Sequence, residues 1–184
     1  MQTIDYAELV RIGDELDAEK PYVELIDGLE VPKMSPKSRH SLLQFQFGKI
    51  LDAWAAGRGS VGTEWRFWLV ATGERRTSLV PDVAYLSAER FSSLEGEAKE
   101  MPPMAPDIAV EIRSPGDRPR NINRKIELYL AHGSLIVLDV DPKKREIIVH
   151  DTRLARTLRE GDHFEHPAAP GLTFDVHGVF AKIT

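Results

Sequence analysis

Hydrophobic and polar positions change period several times along this chain, and each change marks an element. A first amphipathic stretch predicts a helix over about residues 4–18. In YVELIDGLEVPKM, apolar and polar residues alternate around Asp27-Gly28, a pair suited to the tight turn between twisted strands, so a β-hairpin is expected. From Ser38 the period lengthens. Leu43, Phe47, Ile50, Leu51 and Trp54 recur at helical spacing and stop before Gly57 and Gly59, which predicts a long helix with one apolar stripe. Aromatic and β-branched residues predict strand-like pieces at about 60–72 and 80–86, the second with a proline at its edge. A polar loop over about 95–105 leads into strand 107–114, a helix from Pro119 to His132, strand 135–140, a turn at Asp141-Pro142-Lys143-Lys144 and strand 145–150. Strand, helix and strand joined by a short crossover favour parallel pairing in a sheet covered by helices. The tail, EGDHFEHPAAPGLTFDVHGVF, is loop-rich with a short apolar end expected to dock on the body.

The chain has 184 residues and no internal repeat or linker, so one domain spanning 1–184 is expected. With no cysteine there is no disulfide framework, cysteine nucleophile or thiolate zinc site, and a reducing, cytoplasmic setting is the simpler expectation. The N-terminus lacks a basic start followed by an apolar run, and no long apolar stretch follows, so no membrane association is expected. A net charge of −5 gives no support to non-specific affinity for nucleic acid. Any polyanion must be met locally, at Lys33, Lys37 and Arg39 or at Arg113, Arg118, Arg120, Arg124 and Lys125. By charge alone each cluster reads as a solvated face. No phosphate-binding glycine loop, dinucleotide turn or serine-hydrolase elbow is present. His163, Glu165 and His166, followed by Pro167, read as surface residues, and the three tryptophans as packing residues.

The chemistry centres on PDIAVEIRSPGD. In an extended strand Ile108, Val110 and Ile112 share one face, and Asp107, Ala109, Glu111 and Arg113 the other. A carboxylate inside a strand that otherwise looks central needs a cation, a metal or a shifted pKa; the alternative is a half-exposed strand with a surface ion pair. Asp107 lies roughly 13 Å from Glu111 along the strand, too far to share an ion. Asp82, in VPDVAYL, would lie beside Glu111 if the two strands pair, and two carboxylates with waters and substrate phosphates suffice for magnesium. On the following helix, Lys125 borders the apolar stripe of Ile122, Ile126, Tyr129 and Leu130, while Arg124 points away. Lys125 either snorkels to solvent or serves the acids as a cation.

Six pieces now stand in order: YVELIDGLEV, SPKSRHSLL, PD at 81–82, E-x-R at 111–113 followed by SPGD, Lys125 with Glu127, Leu128 and Tyr129, and LDVDPKKREIIVH. Together they resemble the Uma-type restriction endonuclease family of the PD-(D/E)XK nuclease superfamily, over about residues 20–150. The resemblance implies an α/β, restriction-endonuclease-like fold with a mixed central β-sheet flanked by helices, and a Mg2+- or Mn2+-dependent site. It implies that Asp82 and Glu111 bind the metal, that the backbone carbonyl of Ile112 adds a ligand, and that Glu24 approaches the site. Arg113 stands where the superfamily writes lysine, and Lys125 takes over that role; arginine stays protonated and binds phosphate but cannot act as a base. His40 matches a position where the family often has histidine.

The expected function is metal-dependent endonucleolytic hydrolysis of DNA, with Lys125 and Arg113 stabilising charge that develops on phosphorus. Cutting both strands of a duplex makes a homodimer reasonable. The alternative is a non-catalytic nuclease-fold module for DNA binding or protein interaction. A third reading makes the acids a structural ion-pair network with Arg113 and Lys125.

Overall fold

The structure, a computed structural model, describes residues 5–18, 22–33 and 36–183. Helix α1 (Tyr6–Asp17) begins where the Asp5 carboxylate accepts the backbone N–H groups of Ala7 and Glu8, an N-cap in place of missing helical partners. Ile4 of the predicted helix, Met34 at the end of YVELIDGLEVPKM and Ser35 of SPKSRHSLL lie outside the described residues. Strands β1 (Val23–Ile26) and β2 (Leu29–Pro32) form the expected hairpin. Its turn residues Asp27 and Gly28 have φ of 53° and 82°, the backbone a two-residue primed turn requires. Glycine is further demanded at 28 because a Cβ there would stand 2.3 Å from the Glu74 carbonyl oxygen.

Helix α2 (Ser38–Ala55) buries His40, Leu43, Phe47, Leu51 and Ala55, while Ile50 and Trp54 of the predicted stripe are partly buried against the same core. The single strand-like piece expected at 60–72 is in fact two strands in different sheets, β3 (Gly59–Thr63) and β4 (Phe67–Val70). Between them Glu64 adopts a positive φ of 52°, which turns the chain from one sheet to the other. The piece at 80–86 is likewise displaced. Strand β5 (Thr77–Leu79) precedes it unforeseen, and β6 (Val83–Ser87) starts only after Pro81 and Asp82. A short helix α3 (Ala88–Ser92) and a 3-10 turn then lead to β7 (Ile108–Ile112), α4 (Pro119–Ala131), β8 (Ile136–Asp141) and β9 (Glu146–His150), close to expectation. In the tail, three short strands were not foreseen: β10 (Ala155–Leu158), β11 (His163–Phe164) and β12 (Phe174–Asp175). Helix α5 (Val176–Phe180) is the apolar end that docks.

The central sheet has the order β10-β9-β8-β7-β6-β3 and is mixed: β7 and β8 run parallel through the α4 crossover, while the other pairs are antiparallel. A second sheet, β2-β1-β5-β4, is antiparallel, and β11 pairs with β12. One face of the central sheet, with Val83, Ile108, Val110, Ile112, Leu138 and Val140, packs on α2 and α5. Its other face, with Ala84, Ala109 and Val137, packs on α4 and on Ile26, Phe67 and Leu79 of the second sheet. Beyond that, Leu9 of α1 closes over Leu25 and Trp68. Each fully buried large apolar side chain contributes roughly 1.5–3 kcal/mol, so these layers fix the strand ends that carry the polar residues below. Among the described residues no helix is long and apolar enough to cross a membrane.

Candidate active site

Two adjacent strands bring the acids together. β6 and β7 pair with Val83 opposite Val110 and Ala84 opposite Ala109, and the ladder extends one step further as the Asp82 N–H donates to the Val110 carbonyl at 3.0 Å. Glu111 shares parity with Ala109 and leaves the sheet on the α4 side, while Asp82, just before β6, meets Lys33 and His40 in the same cleft. Asp82 is 1% exposed. Its Oδ2 accepts the Ile112 backbone N–H at 2.6 Å. Its Oδ1 faces Lys33 Nζ at 2.8 Å and His40 Nε2 at 3.1 Å, yet neither is aligned as a hydrogen bond. Burial works to raise the Asp82 pKa, but the Lys33 ammonium and then the His40 contact outweigh it and hold the carboxyl well below the usual carboxylate range.

Glu111 is satisfied from the opposite direction. Oε2 accepts Lys125 Nζ at 2.6 Å and Oε1 accepts the Tyr129 hydroxyl at 2.7 Å, two donors one helical turn apart on α4. Lys125 also meets Glu24 Oε1 at 2.9 Å, and that oxygen accepts the Val80 N–H at 2.8 Å. Strand parity again explains the placement: Leu25 faces α1, so Glu24 and Ile26 face inward. Arg124 points away, as the stripe predicts, and clasps Asp27 with two bonds of 2.7 Å. The burial of Lys125 opposes its charge, but Glu111 and Glu24 prevail and raise its pKa. Burial and the Glu111 charge keep Tyr129 protonated, so its hydroxyl remains a donor.

These residues leave a charge imbalance. Three buried carboxylates, Glu24, Asp82 and Glu111, face two ammonium groups, Lys33 and Lys125, an excess of one negative charge. Glu111 bears the imbalance: burial is the largest influence on it, Lys125 opposes that, and Glu24 and Asp82 add to it, so its pKa is pushed up to about 7. A proton or an external cation restores neutrality.

Arg113 does not form the ion pair with Glu111 that the alternative, half-exposed-strand reading required. Its guanidinium instead clasps Asp139 with bonds of 2.7 and 2.6 Å and reaches Asp141 at 3.5 Å, because β8 runs parallel beside β7 and puts Asp139 opposite Glu111. Lys33 corrects the reading of its cluster as a solvated face. Its side chain is 13% exposed, and Nζ donates to the Val80 carbonyl at 2.6 Å. His166, expected at the surface, is half-buried with Nε2 3.1 Å from Asp151. His40 joins the site more directly than its sequence position indicates, its Nδ1 lying 3.2 Å from Ser114 Oγ. Sequence reasoning also missed the Tyr129 hydroxyl, although its place four residues after Lys125 was a usable signal. For Lys33 no such signal exists, because its contact depends on how the hairpin folds over Asp82.

Glu24, Lys33, His40, Asp82, Glu111 and Lys125 open on one cleft of about 370 Å³, lined also by Ile112, Arg113 and Arg118. The donor set suits a hard divalent cation. Asp82 Oδ1 is a buried carboxylate oxygen without an aligned hydrogen bond, and Glu111 lines the same cleft. Among the described residues no three His, Cys, Asp or Glu side chains form a group that could hold a metal ion.

Such a mixed sheet between helices, with acids at the meeting ends of two adjacent strands, is a restriction-endonuclease-like fold. A crystal structure described as a putative nuclease belonging to DUF820, from Anabaena variabilis ATCC 29413, shares it: the TM-score is 0.80 with 23% identity, over 97% of this chain and 98% of that one. The family described as "Uma2: Putative restriction endonuclease" matches residues 6–177, and the chain belongs to that family. No curated protein matches it in sequence.

Proposed function

We propose that this chain is a magnesium- or manganese-dependent endonuclease that hydrolyses DNA phosphodiester bonds. One observation carries the reading: two buried carboxylates from neighbouring strands share a cleft that has one negative charge in excess. Asp82 Oδ1 and Glu111 would hold the cation, with the Ile112 backbone carbonyl as a further oxygen donor. When bound, the cation supplies a Lewis acid for the phosphoryl oxygen and a more acidic water. The protein's own groups do the rest. Lys125, fixed between Glu24 and Glu111, presents an ammonium to the attacking water or to charge developing on phosphorus. Arg113, whose Nε and Nη2 are held by Asp139, stays protonated and would offer its remaining N–H groups to a phosphate oxygen. Two copies acting together would cut both strands of a duplex. The test is nicking of supercoiled DNA with Mg2+ or Mn2+: activity is expected for the parent and absent in Glu111→Ala with unchanged circular dichroism, and equal cutting by that variant would contradict the assignment.

A second reading, a nuclease-fold module that binds without cutting, draws on one feature: lysines already pair with all three buried carboxylates of the cleft, Glu24, Asp82 and Glu111. Calorimetric titration with manganese separates the two. Binding lost in Asp82→Asn favours the enzyme, and no binding at millimolar metal favours the module.

A further inference from the structure

We infer that Lys33 is a resident counter-ion on the metal-binding carboxylate: its ammonium must leave Asp82 Oδ1 before a divalent cation binds, and it thereby sets the metal concentration at which the site fills. The inference rests on the metal-dependent reading above. Asp82 has only two oxygens to give. Oδ2 is committed to the Ile112 N–H at 2.6 Å, an anchor inside the strand ladder. Oδ1 is what remains for a cation, and Lys33 Nζ stands 2.8 Å from it. Two cations cannot share that oxygen at contact distance without strong repulsion in a buried site.

The surroundings allow Lys33 to leave. Its Nζ holds a second, independent bond to the Val80 carbonyl at 2.6 Å, so the ammonium stays partnered when Asp82 is released. The Lys33 backbone N–H is fixed to the Tyr22 carbonyl at 2.6 Å at the end of β2, which confines the motion to a flexible four-carbon stem. Lys125 is situated differently, because it lies between two carboxylates, Glu24 and Glu111, and keeps one if the other turns to a metal. The imidazole of His40, also near Oδ1 at 3.1 Å, has Ser114 Oγ as its other neighbour.

The experiment is calorimetric titration of Mn2+ into the full chain, without DNA, for the parent, Lys33→Met and Lys33→Arg, with thermal unfolding of each to verify folding. Lys33→Met is expected to bind at least about tenfold more tightly than the parent, and Lys33→Arg, which keeps the charge, within about threefold of it. If Lys33→Met does not fold, Lys33→Gln takes its place with the same expectation. Equal or weaker binding by the neutral variants would overturn the inference, as would equal tightening in Lys33→Arg. If the parent binds metal and Lys33→Met binds no better, only the Lys33 inference fails. If neither folded protein binds millimolar Mn2+, the metal-dependent reading fails and this inference with it.

Discussion

Metal binding to this cleft should expel a proton, and the number expelled follows from Glu111. Its pKa of about 7 reflects burial and the neighbouring Glu24 and Asp82, opposed by Lys125. The carboxyl is therefore protonated in about nine-tenths of molecules at pH 6, half at pH 7 and one-tenth at pH 8. A cation that takes the ionised carboxylate releases that fraction of a proton, so binding of Mn2+ at pH 6 should release about 0.9 proton and at pH 8 about 0.1. Apparent affinity should fall about tenfold for each pH step below 7. Asp82 contributes nothing to this count, because Lys33 and His40 keep it ionised across the range. Calorimetry in buffers of different ionisation enthalpy reads the proton number directly. Tyr129→Phe adds an internal check: it removes a hydroxyl bonded to Glu111 at 2.7 Å, a contact that favours the ionised form, and should move the midpoint upward. Metal affinity independent of pH, or no proton release at pH 6, would refute the reasoning.

Stability and packing give further expectations. In the metal-free protein the raised Glu111 pKa means that its contribution is fully present below 4.5 and is lost as pH rises through about 7. Glu111→Gln removes this dependence, so its stability relative to the parent should rise by up to about 3 kcal/mol between pH 4.5 and 8; a difference that stays flat in urea unfolding would contradict the burial argument. Arg113→Ala leaves Asp139, 1% exposed, without its two-pronged partner and should cost about 3 kcal/mol in the same assay at neutral pH, whereas a loss below about 1 kcal/mol would show that the clasp is dispensable.

Periodicity exposed much of this architecture because most elements bury one continuous face. The α2 stripe, the Asp27-Gly28 hairpin and the β7-α4-β8 crossover each follow from local pattern alone. The stretch at 60–72 did not, since nothing in GTEWRFWLVAT announces that Glu64 turns the chain into a second sheet. The short tail strands escaped for a related reason: two to four residues are too few for a period to show. At the site, the sharing of one cleft by Asp82 and Glu111 was inferable because neighbouring strands bring their ends together. The partners of Lys33 and Arg113 were not. Each is decided by a neighbour distant in sequence, Asp82 for Lys33 and Asp139 for Arg113, and charge patterning carries no such pairing information.

The central claim is that Asp82 and Glu111 together receive a divalent cation. A crystal of the full chain soaked in manganese, with data collected at the metal's absorption edge, tests it directly. The account predicts one strong anomalous peak in bonding contact with a carboxylate oxygen of each residue, and Lys33 Nζ withdrawn from Asp82. A peak elsewhere in the molecule, or none at millimolar manganese with both carboxylates still clasped by lysine, would contradict it.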